Sequence, residues 1–293
     1  MTRIAFLTSH CMTTDGAARR DDAWEHDIEF EPLRRACASR GHELEARVWD
    51  DATLGANDYD AYVIGTTWDY QQRVEDFLSV LARLESARPL FNPLDVVRWN
   101  LDKRYLAELG ARGVNVIPTI YADSASDAVL MEAFERFACD SIVVKPLVGA
   151  GAWRQVKVER DGARPPLDVR PPAAAMLQPF VPSVVEEGEY SLLFFGGVFS
   201  HCALKRPKQG DYRVQSLYGG HEGAHAPSDA ELSAAREGLA AVDQRLLYAR
   251  VDMVRDATGR LALMELEVVE PYLYPEQGPR LGENFVTALE ALL

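Results

Sequence analysis

Two acidic residues interrupt an apolar run near the end of the chain. Glu265 and Glu267 lie two residues apart in the stretch 261–269, which otherwise reads as a strand rich in Leu, Val and Met. Side chains alternate along a strand, so both carboxylates project to the same side. Buried carboxylates are costly unless they are paired or bind a metal.

The turn 257–260 predicts a hairpin that adds a third acid. If the turn holds four residues, the opposed pairs are Asp256–Leu261, Val254–Leu263 and Asp252–Glu265. Opposed like charges destabilise a sheet, and the apolar residues predicted on the same face argue against a simply solvated surface. We therefore predict that Asp252, Glu265 and Glu267 hold Mg²⁺. The alternative is an amphipathic strand whose acidic residues lie at its solvent-exposed end.

Lysines that could meet phosphate occur upstream. Lys145 ends the apolar run 141–145 and precedes a loop containing Gly149 and Gly151. Glycine loops expose backbone N–H groups to phosphate, and a lysine at a strand end adds a point charge. A surface turn beside an exposed lysine would give the same local pattern. Lys103, predicted early in a helix, and Lys205 are likewise weak indications of a phosphate site when each is taken alone.

The segment 221–225 reads His-Glu-Gly-Ala-His, which matches a zinc protease pattern by letter. That pattern works only on a helix, where the two histidines share a face. Here glycines flank and interrupt the segment, and the helix cap at Ser228 comes later. We therefore predict no zinc site.

A polar and aromatic segment follows the strand predicted at 61–65. Open α/β sheets bind ligands at the carboxyl ends of their strands, so these residues are candidates for substrate contact. A helix start with a buried tryptophan is an equal alternative. The residues are Thr67, Trp68, Asp69, Tyr70 and Arg73.

The elements that must position these groups fall into two parts. Strands and helices alternate through about the first 90 residues, which predicts an α/β unit with a parallel sheet. The rest reads as α+β with mostly antiparallel pairs, including a hairpin at Gly196 and Gly197. A helix is predicted at about 100–110, and a capping box of Ser228 and Glu231 opens another over 229–246.

Composition excludes several classes of function. The chain of 293 residues has a formal charge of −14, which argues against a nucleic-acid or anionic-membrane surface. It lacks both a signal-peptide pattern and an apolar stretch of ~18 residues. Its four scattered cysteines suit reduced thiols, so we expect a cytoplasmic protein.

In combination, five segments resemble the ATP-grasp superfamily of carboxylate–amine ligases, particularly its glutathione-synthetase-like branch. They follow the order of that family over residues 93–293, while residues 1–92 look like its preceding α/β domain. The variants at 66–70 and 189–201, with the Glu-x-Glu ending, are similar to the cycloserine-forming cyclo-ligases of antibiotic biosynthesis. The five segments span residues 100–119, 142–153, 176–197, 201–213 and 251–271.

The resemblance implies a role for each charged position. Lys103 and Lys145 would contact ATP phosphates with the Gly149–Gly151 loop, and Lys205 would meet the γ-phosphate. Arg213 would stabilise the acyl phosphate. The adenine hinge would be Gln178, Phe180 and Val181, the ribose ligand Glu189 or Glu186, and the Mg²⁺ ligands Asp252, Glu265 and Glu267. Most relatives have Asn where this chain has Glu267.

The implied fold is α/β plus α+β: an ATP-grasp fold of two subdomains, 93–180 and 181–293, after a Rossmann-like domain at 1–92. The implied activity is Mg²⁺- and ATP-dependent formation of a C–N bond between a small carboxylate and an amine, in one molecule or two. An inactive ATP-binding regulator or partner protein is the alternative. A homodimer or homotetramer is implied as well.

Overall fold

The computed structural model describes residues 1–14, 18–149 and 151–293. Its strands are β1 (Arg3–Thr8), β2 (Glu43–Val48), β3 (Ala61–Ile64), β4 (Leu90–Phe91), β5 (Ile120–Ala122), β6 (Ser141–Pro146), β7 (Val156–Glu159), β8 (Ala175–Pro179), β9 (Glu189–Phe195), β10 (Val198–Arg206), β11 (His221–His225), β12 (Tyr248–Arg255) and β13 (Leu261–Glu267). Its helices are α1 (His10–Thr13), α2 (Trp24–Ser39), α3 (Val74–Glu85), α4 (Leu94–Leu101), α5 (Tyr105–Ala111), α6 (Asp127–Phe137), α7 (Ser183–Glu186), α8 (Asp229–Ala240) and α9 (Leu281–Glu290).

The first sheet has the order β2-β1-β3-β4, and all its neighbours are parallel, which confirms the predicted parallel sheet. Its carboxyl edge carries the loops that begin at Ser9, Trp49 and Gly65. The last helix, α9, packs against α2 in one shared apolar core. The chain end thus returns to the first unit, and the domain limits stay a prediction.

The later strands form two antiparallel sheets, as predicted. One has the order β5-β8-β6-β7 and is covered by α6. The other has the order β11-β10-β9-β12-β13, and α5 and α8 pack on one of its faces. The glycine pair at 196–197 makes the tight turn between β9 and β10, both residues at positive φ.

The register of β12 and β13 differs from the predicted one in its first half. Near the turn, Arg255 opposes Leu261 where Asp256 was predicted, and Val254 opposes Ala262 and not Leu263, so the register is shifted by one residue. A β-bulge at Met264 then adds one residue to β13, and this restores the predicted pair Asp252–Glu265. The prediction for Val254 was wrong, while that for the two acids is confirmed.

The bulge also corrects which residues share the acidic face. Leu261 and Leu263 do not lie on it, because they pack into the core beneath α8. Val254 lies on the face of Asp252, where it packs with Met264 and Phe180 in a smaller apolar cluster beside the acids. The extra residue shifts the alternation along β13, so Leu261 and Leu263 fall on the face opposite Glu265 and Glu267.

Two helix predictions require correction. The helix expected at 100–110 is divided into α4 and α5, and Lys103 lies in the turn between them, where its backbone N–H bonds the carbonyl of Leu147. Helix α8 ends at Ala240 and not at 246, although its capping box of Ser228 and Glu231 is confirmed. Within the described ranges, no helix has the length and apolarity needed to cross a bilayer.

Candidate active site

One face of the five-stranded sheet is lined by charged side chains that meet across neighbouring strands. Opposed residues of an antiparallel pair project to the same face. The opposite face is apolar and packs beneath α5 and α8. The polar pairs are Glu189–Lys205, Glu222–Lys205, Ser191–Asp252, Asp252–Glu265 and Arg250–Glu267.

Lys205 lies at the centre of this face and is 3 % exposed. Its Nζ forms an ion pair with Glu189 and lies 3.6 Å from Asp252 Oδ2. Burial lowers the pKa of Lys205, but the charges of Asp252 and Glu189 outweigh it and raise the pKa above its usual range. The lysine therefore stays charged, as contact with phosphate requires.

Arg250 joins two of the carboxylates. Its Nε lies 3.0 Å from Asp252 Oδ1, its Nη2 lies 2.9 Å from Asp252 Oδ2, and the same nitrogen donates to Glu267. Ser191 donates to Asp252 Oδ1 at 2.5 Å. Both oxygens of Asp252 are thus occupied, and the side chain is almost fully buried.

Lys103, in the turn between α4 and α5, contacts both the glycine loop and the acidic strand β13. Its Nζ lies 3.0 Å from Glu265 Oε1 and donates to the carbonyl of Gly149 at 2.6 Å. The lysine therefore bridges the glycine loop and a predicted metal ligand. Gly149 and Gly151 both have positive φ, which L-residues with a side chain rarely adopt. Ala150, between them, lies outside the described residues.

Lys145 projects from β6 towards the same acids. Burial lowers its pKa, and the charges of Glu265 and Glu189 offset that effect in part, while nearby Lys103 adds to it. In the part of the chain that the structure describes, no carboxylate forms an ion pair with Lys145. A desolvated ammonium beside a cleft is suited to receive an anionic ligand.

The predicted adenine hinge follows β8. Gln178 is buried and donates to Thr119 Oγ1 at 3.0 Å, and the Phe180 N–H bonds Ser141 O at 2.9 Å. These two groups are thus used within the protein, whereas the Val181 N–H has no partner among the described residues. Phe180 and Val181 pack beside Met264 at the rim of the charged face.

The two candidate ribose ligands are placed differently. Glu189 is 4 % exposed and lies on the charged face beside Lys205. Glu186 is exposed on the short helix α7 and contacts none of the charged groups described above. The geometry brings Glu189 into the site and leaves Glu186 at its edge.

The segment 67–73 is anchored within the protein and borders the site. Trp68 Nε1 donates to Glu270 O, and Asp69 Oδ1 accepts hydrogen bonds from Ser9 and Trp49. Tyr70 is buried against Phe77, and Arg73 pairs with Asp50.

Thr67 is fully buried, and its hydroxyl has no partner within the described chain. Asp69 and Arg73 line a cavity of about 560 Å³ at the carboxyl edge of the first sheet.

Arg213 lies away from the carboxylates. Its guanidinium holds Asp211 through Nε at 3.1 Å and Nη2 at 2.8 Å, and stacks 3.8 Å above the ring of Tyr218. Tyr218 in turn reaches Gly151 O at 3.4 Å. The loop that carries Arg213 thus contacts the glycine loop, and the role implied for this arginine stays a prediction.

Two of the three predicted Mg²⁺ ligands fit a metal. Glu265 and Glu267 each use Oε1 for a cation, while Oε2 has no hydrogen-bond partner in the described ranges, and their side chains are 27 % and 28 % exposed. Asp252 has no free oxygen. Among the described residues, no three Asp, Glu, His or Cys side chains are placed to hold a metal by themselves. This suits Mg²⁺, which usually takes one or two carboxylates plus phosphate and water.

The sequence analysis did not identify Arg250 or Ser191. Arg250 precedes Asp252 by two residues on β12, so the same alternation that aligned the acids places it on their face. The segment 221–225 is strand β11, where histidines four residues apart cannot share a ligand as they do on a helix. This agrees with the rejection of zinc.

Known proteins resemble this chain in sequence. Residues 4–92 match the family described as D-cycloserine synthetase DcsG, N-terminal domain. The chain is 34 % identical over 264 residues to the cycloserine biosynthesis protein DcsG of Streptomyces lavendulae, covering 84 % of this chain and 88 % of that protein.

Solved structures extend the likeness to the whole chain. The crystal structure of D-cycloserine synthetase DcsG superposes with a TM-score of 0.85 at 30 % identity, covering 99 % of this chain and 100 % of the other. D-alanine–D-alanine ligase from Bacillus anthracis has a TM-score of 0.68 at 16 % identity, with 99 % and 95 % covered, which shows a shared fold. The chain has the fold of ATP-grasp ligases, and it belongs to the family of the D-cycloserine synthetase DcsG.

Proposed function

We propose that this ATP-grasp ligase uses ATP and Mg²⁺ to activate the carboxylate of an amino-acid-like molecule and joins it to an amine. The observation that carries the proposal is the placement of four cationic side chains around Glu265 and Glu267, each of which has one carboxylate oxygen without a hydrogen-bond partner in the described ranges. Lys103, Lys145, Lys205 and Arg250 approach one cleft from separate elements. Phosphoryl transfer needs mainly positioning and charge neutralisation, and this cleft offers both.

Different residues would bind the phosphates, the metal, the adenine and the ribose of Mg²⁺-ATP. Lys103, Lys145 and the Gly149–Gly151 loop would bind the phosphates near the leaving ADP, and Lys205 would bind the γ-phosphate. Glu265 and Glu267 would hold Mg²⁺, which when bound neutralises phosphate charge. The adenine would lie beside the backbone of Val181, and Glu189 would reach the ribose.

Two bond exchanges complete the reaction. A carboxylate oxygen of the substrate attacks the γ-phosphorus, and the bond from that phosphorus to the β–γ bridging oxygen breaks to release ADP. An amine nitrogen then attacks the acyl carbon, the carbon–oxygen bond to phosphate breaks, and the nitrogen loses a proton. Arg250 would neutralise the oxyanion formed in the second step.

The glycine loop and the loop carrying Arg213 would exclude water. They touch through Tyr218 and Gly151, and Ser216 of the second loop bonds Glu25 of the first unit at 2.5 Å. Closure over the cleft would protect an acyl phosphate from hydrolysis.

For the product, we propose a cyclic amino-acid derivative made within one molecule. The support is the likeness over most of the chain to a protein named D-cycloserine synthetase. A small-molecule partner, a homodimer or homotetramer, a cytoplasmic location and the absence of nucleic-acid or membrane partners are proposed with it.

A turnover assay tests the proposal. The protein is incubated with ATP, Mg²⁺ and a panel of amino acids that carry a second amine, and ADP and phosphate are measured. We expect release that depends on both Mg²⁺ and one class of substrate. Nucleotide binding in calorimetry without substrate-dependent ADP from the panel would contradict it.

A further inference from the structure

Strand β13, which carries Glu265 and Glu267, is the last strand of its five-stranded sheet. The backbone groups along its outer edge point away from β12, so they need other hydrogen-bond partners. Near the turn these partners are backbone groups: the Leu263 N–H donates to Asn115 O at 2.7 Å, and the Ile117 N–H donates to Leu263 O at 3.3 Å. Further along the strand, side chains take over this role.

Two side chains hold the backbone around Leu266, the residue between the two acids. The Tyr105 hydroxyl accepts the Leu266 N–H at 2.8 Å, and Asn100 Nδ2 donates to Leu266 O at 2.7 Å. Asn100 Oδ1 also accepts the N–H of Val268 at 3.4 Å. The three consecutive peptide groups from Glu265 to Val268 are thus tied to two side chains of one short segment.

These contacts constrain the direction in which both acids leave the strand. Because peptide groups are planar, the backbone at a residue is fixed once its two flanking peptide groups are held. Asn100 holds both peptide groups that flank Glu267, and Tyr105 holds the one that follows Glu265. The β-bulge at Met264 interrupts the regular ladder just before Glu265, so the contacts on the outer edge supply a constraint that the ladder does not.

The same segment also reaches the charged face. Asn100 lies near the end of α4 and Tyr105 begins α5, so the turn that carries Lys103 lies between them. Lys103 Nζ lies 3.0 Å from Glu265 Oε1. One segment therefore holds the acidic strand by its backbone and by a carboxylate. Metal ligands depend on such surrounding contacts for their orientation, and the loss of one weakens metal binding.

We propose that Asn100 and Tyr105 are positioning residues for the Mg²⁺ ligands Glu265 and Glu267. The inference rests on the proposed function, in which these acids bind Mg²⁺ together with the nucleotide phosphates. In the described ranges neither side chain forms a hydrogen bond with a carboxylate oxygen of either acid. Their effect on the metal is therefore transmitted through the backbone of β13.

The variants Asn100→Ala and Tyr105→Phe test this role without changing the charge of the cleft. ADP binding is measured by calorimetry with excess Mg²⁺ and with EDTA, and the ratio of the two dissociation constants gives the coupling between metal and nucleotide. In the wild-type protein Mg²⁺ should tighten ADP binding. We expect the tightening to fall by about 3- to 10-fold in each variant, while the affinity in EDTA stays within about twofold.

Asn115→Ala is the matched control. Asn115 Nδ2 donates to Leu261 O of the same strand at 3.0 Å, but this contact lies near the hairpin turn, away from the acids. The control variant therefore loses a contact to the edge of β13 and should keep the wild-type tightening. An unchanged tightening in Asn100→Ala or Tyr105→Phe, or an equal fall in Asn115→Ala, overturns the inference.

The measurements in EDTA separate this role from an effect on Lys103. Displacement of Lys103 would weaken ADP binding to the same degree with and without Mg²⁺, and that result also overturns the inference. A wild-type protein that does not bind ADP, or that binds it equally well without Mg²⁺, would instead contradict the proposed function, and the inference would fall with it.

Discussion

Arg250 donates a hydrogen bond to Glu267 across the pair β12–β13, while the same guanidinium holds both oxygens of Asp252. The resemblance implies a neutral Asn at position 267 in most relatives. A second acid on a partly buried face needs a compensating charge, and Arg250 supplies it. Burial still raises the pKa of Glu267 to about 8.

We predict that Glu267→Asn keeps turnover within about tenfold of the wild-type value, because an amide oxygen can still ligate Mg²⁺. The Mg²⁺ concentration needed for half-maximal ADP release should rise, since one negative charge is lost. A loss of more than about 100-fold at saturating Mg²⁺ would show that the carboxylate itself is required.

Glu265→Gln should have a much larger effect. Glu265 is the partner of Lys103, which also donates to the carbonyl of Gly149 in the glycine loop. We expect ADP release to fall by at least about 100-fold while the melting temperature changes little. Nucleotide binding is measured in parallel to separate chemistry from folding. Near-wild-type turnover would remove Glu265 from the metal site.

The hairpin shows how far sequence alone could lead. Alternation and turn length predicted the pair Asp252–Glu265, but the register nearer the turn was wrong by one residue. Nothing in the residue types at Met264 marks a bulge, because its side chain is apolar like its neighbours. The correct pair emerged because the turn and the bulge offset one another.

Other parts of the site depended on contacts that no local pattern contains. Lys103 lies where the predicted helix is interrupted between α4 and α5, and the residue it contacts, Gly149, is 46 positions away in the sequence. Glu25 meets Ser216 across 191 residues. Arg250, in contrast, could have been predicted from the period of β12 alone.

Two arginines can be compared directly. We predict that Arg250→Lys lowers kcat by about 100-fold, because lysine keeps the charge but cannot hold Asp252 and Glu267 at once. Arg213→Lys should lower kcat by less than about tenfold, because Arg213 is bound to Asp211 on a loop.

Both variants are assayed with saturating ATP and substrate, and melting temperatures are recorded to exclude unfolding. An equal or larger loss of kcat in Arg213→Lys would assign the acyl-phosphate contact to Arg213. Such a result would mean that the loop moves towards the carboxylates during the reaction.

Glu29 should make the stability of the protein depend on pH. Burial raises its pKa to about 8, while the ordinary value is 4.5. Between these values the folded protein holds a proton that the unfolded chain has lost. The free energy of unfolding therefore falls as the pH rises through this range, by at most about 1.4 kcal/mol per pH unit from this group.

The Glu29→Gln variant lacks this titrating group, but its amide oxygen can still accept the N–H of Leu273. We predict that its melting temperature, relative to wild type, increases steadily from pH 5 to pH 8 and then levels off. Glu25, Glu267 and Glu270 also have raised pKa values, but they are present in both proteins and largely cancel in the difference. Melting curves at unit pH intervals measure it, and a difference that does not vary with pH would mean that Glu29 is ionised in the folded protein.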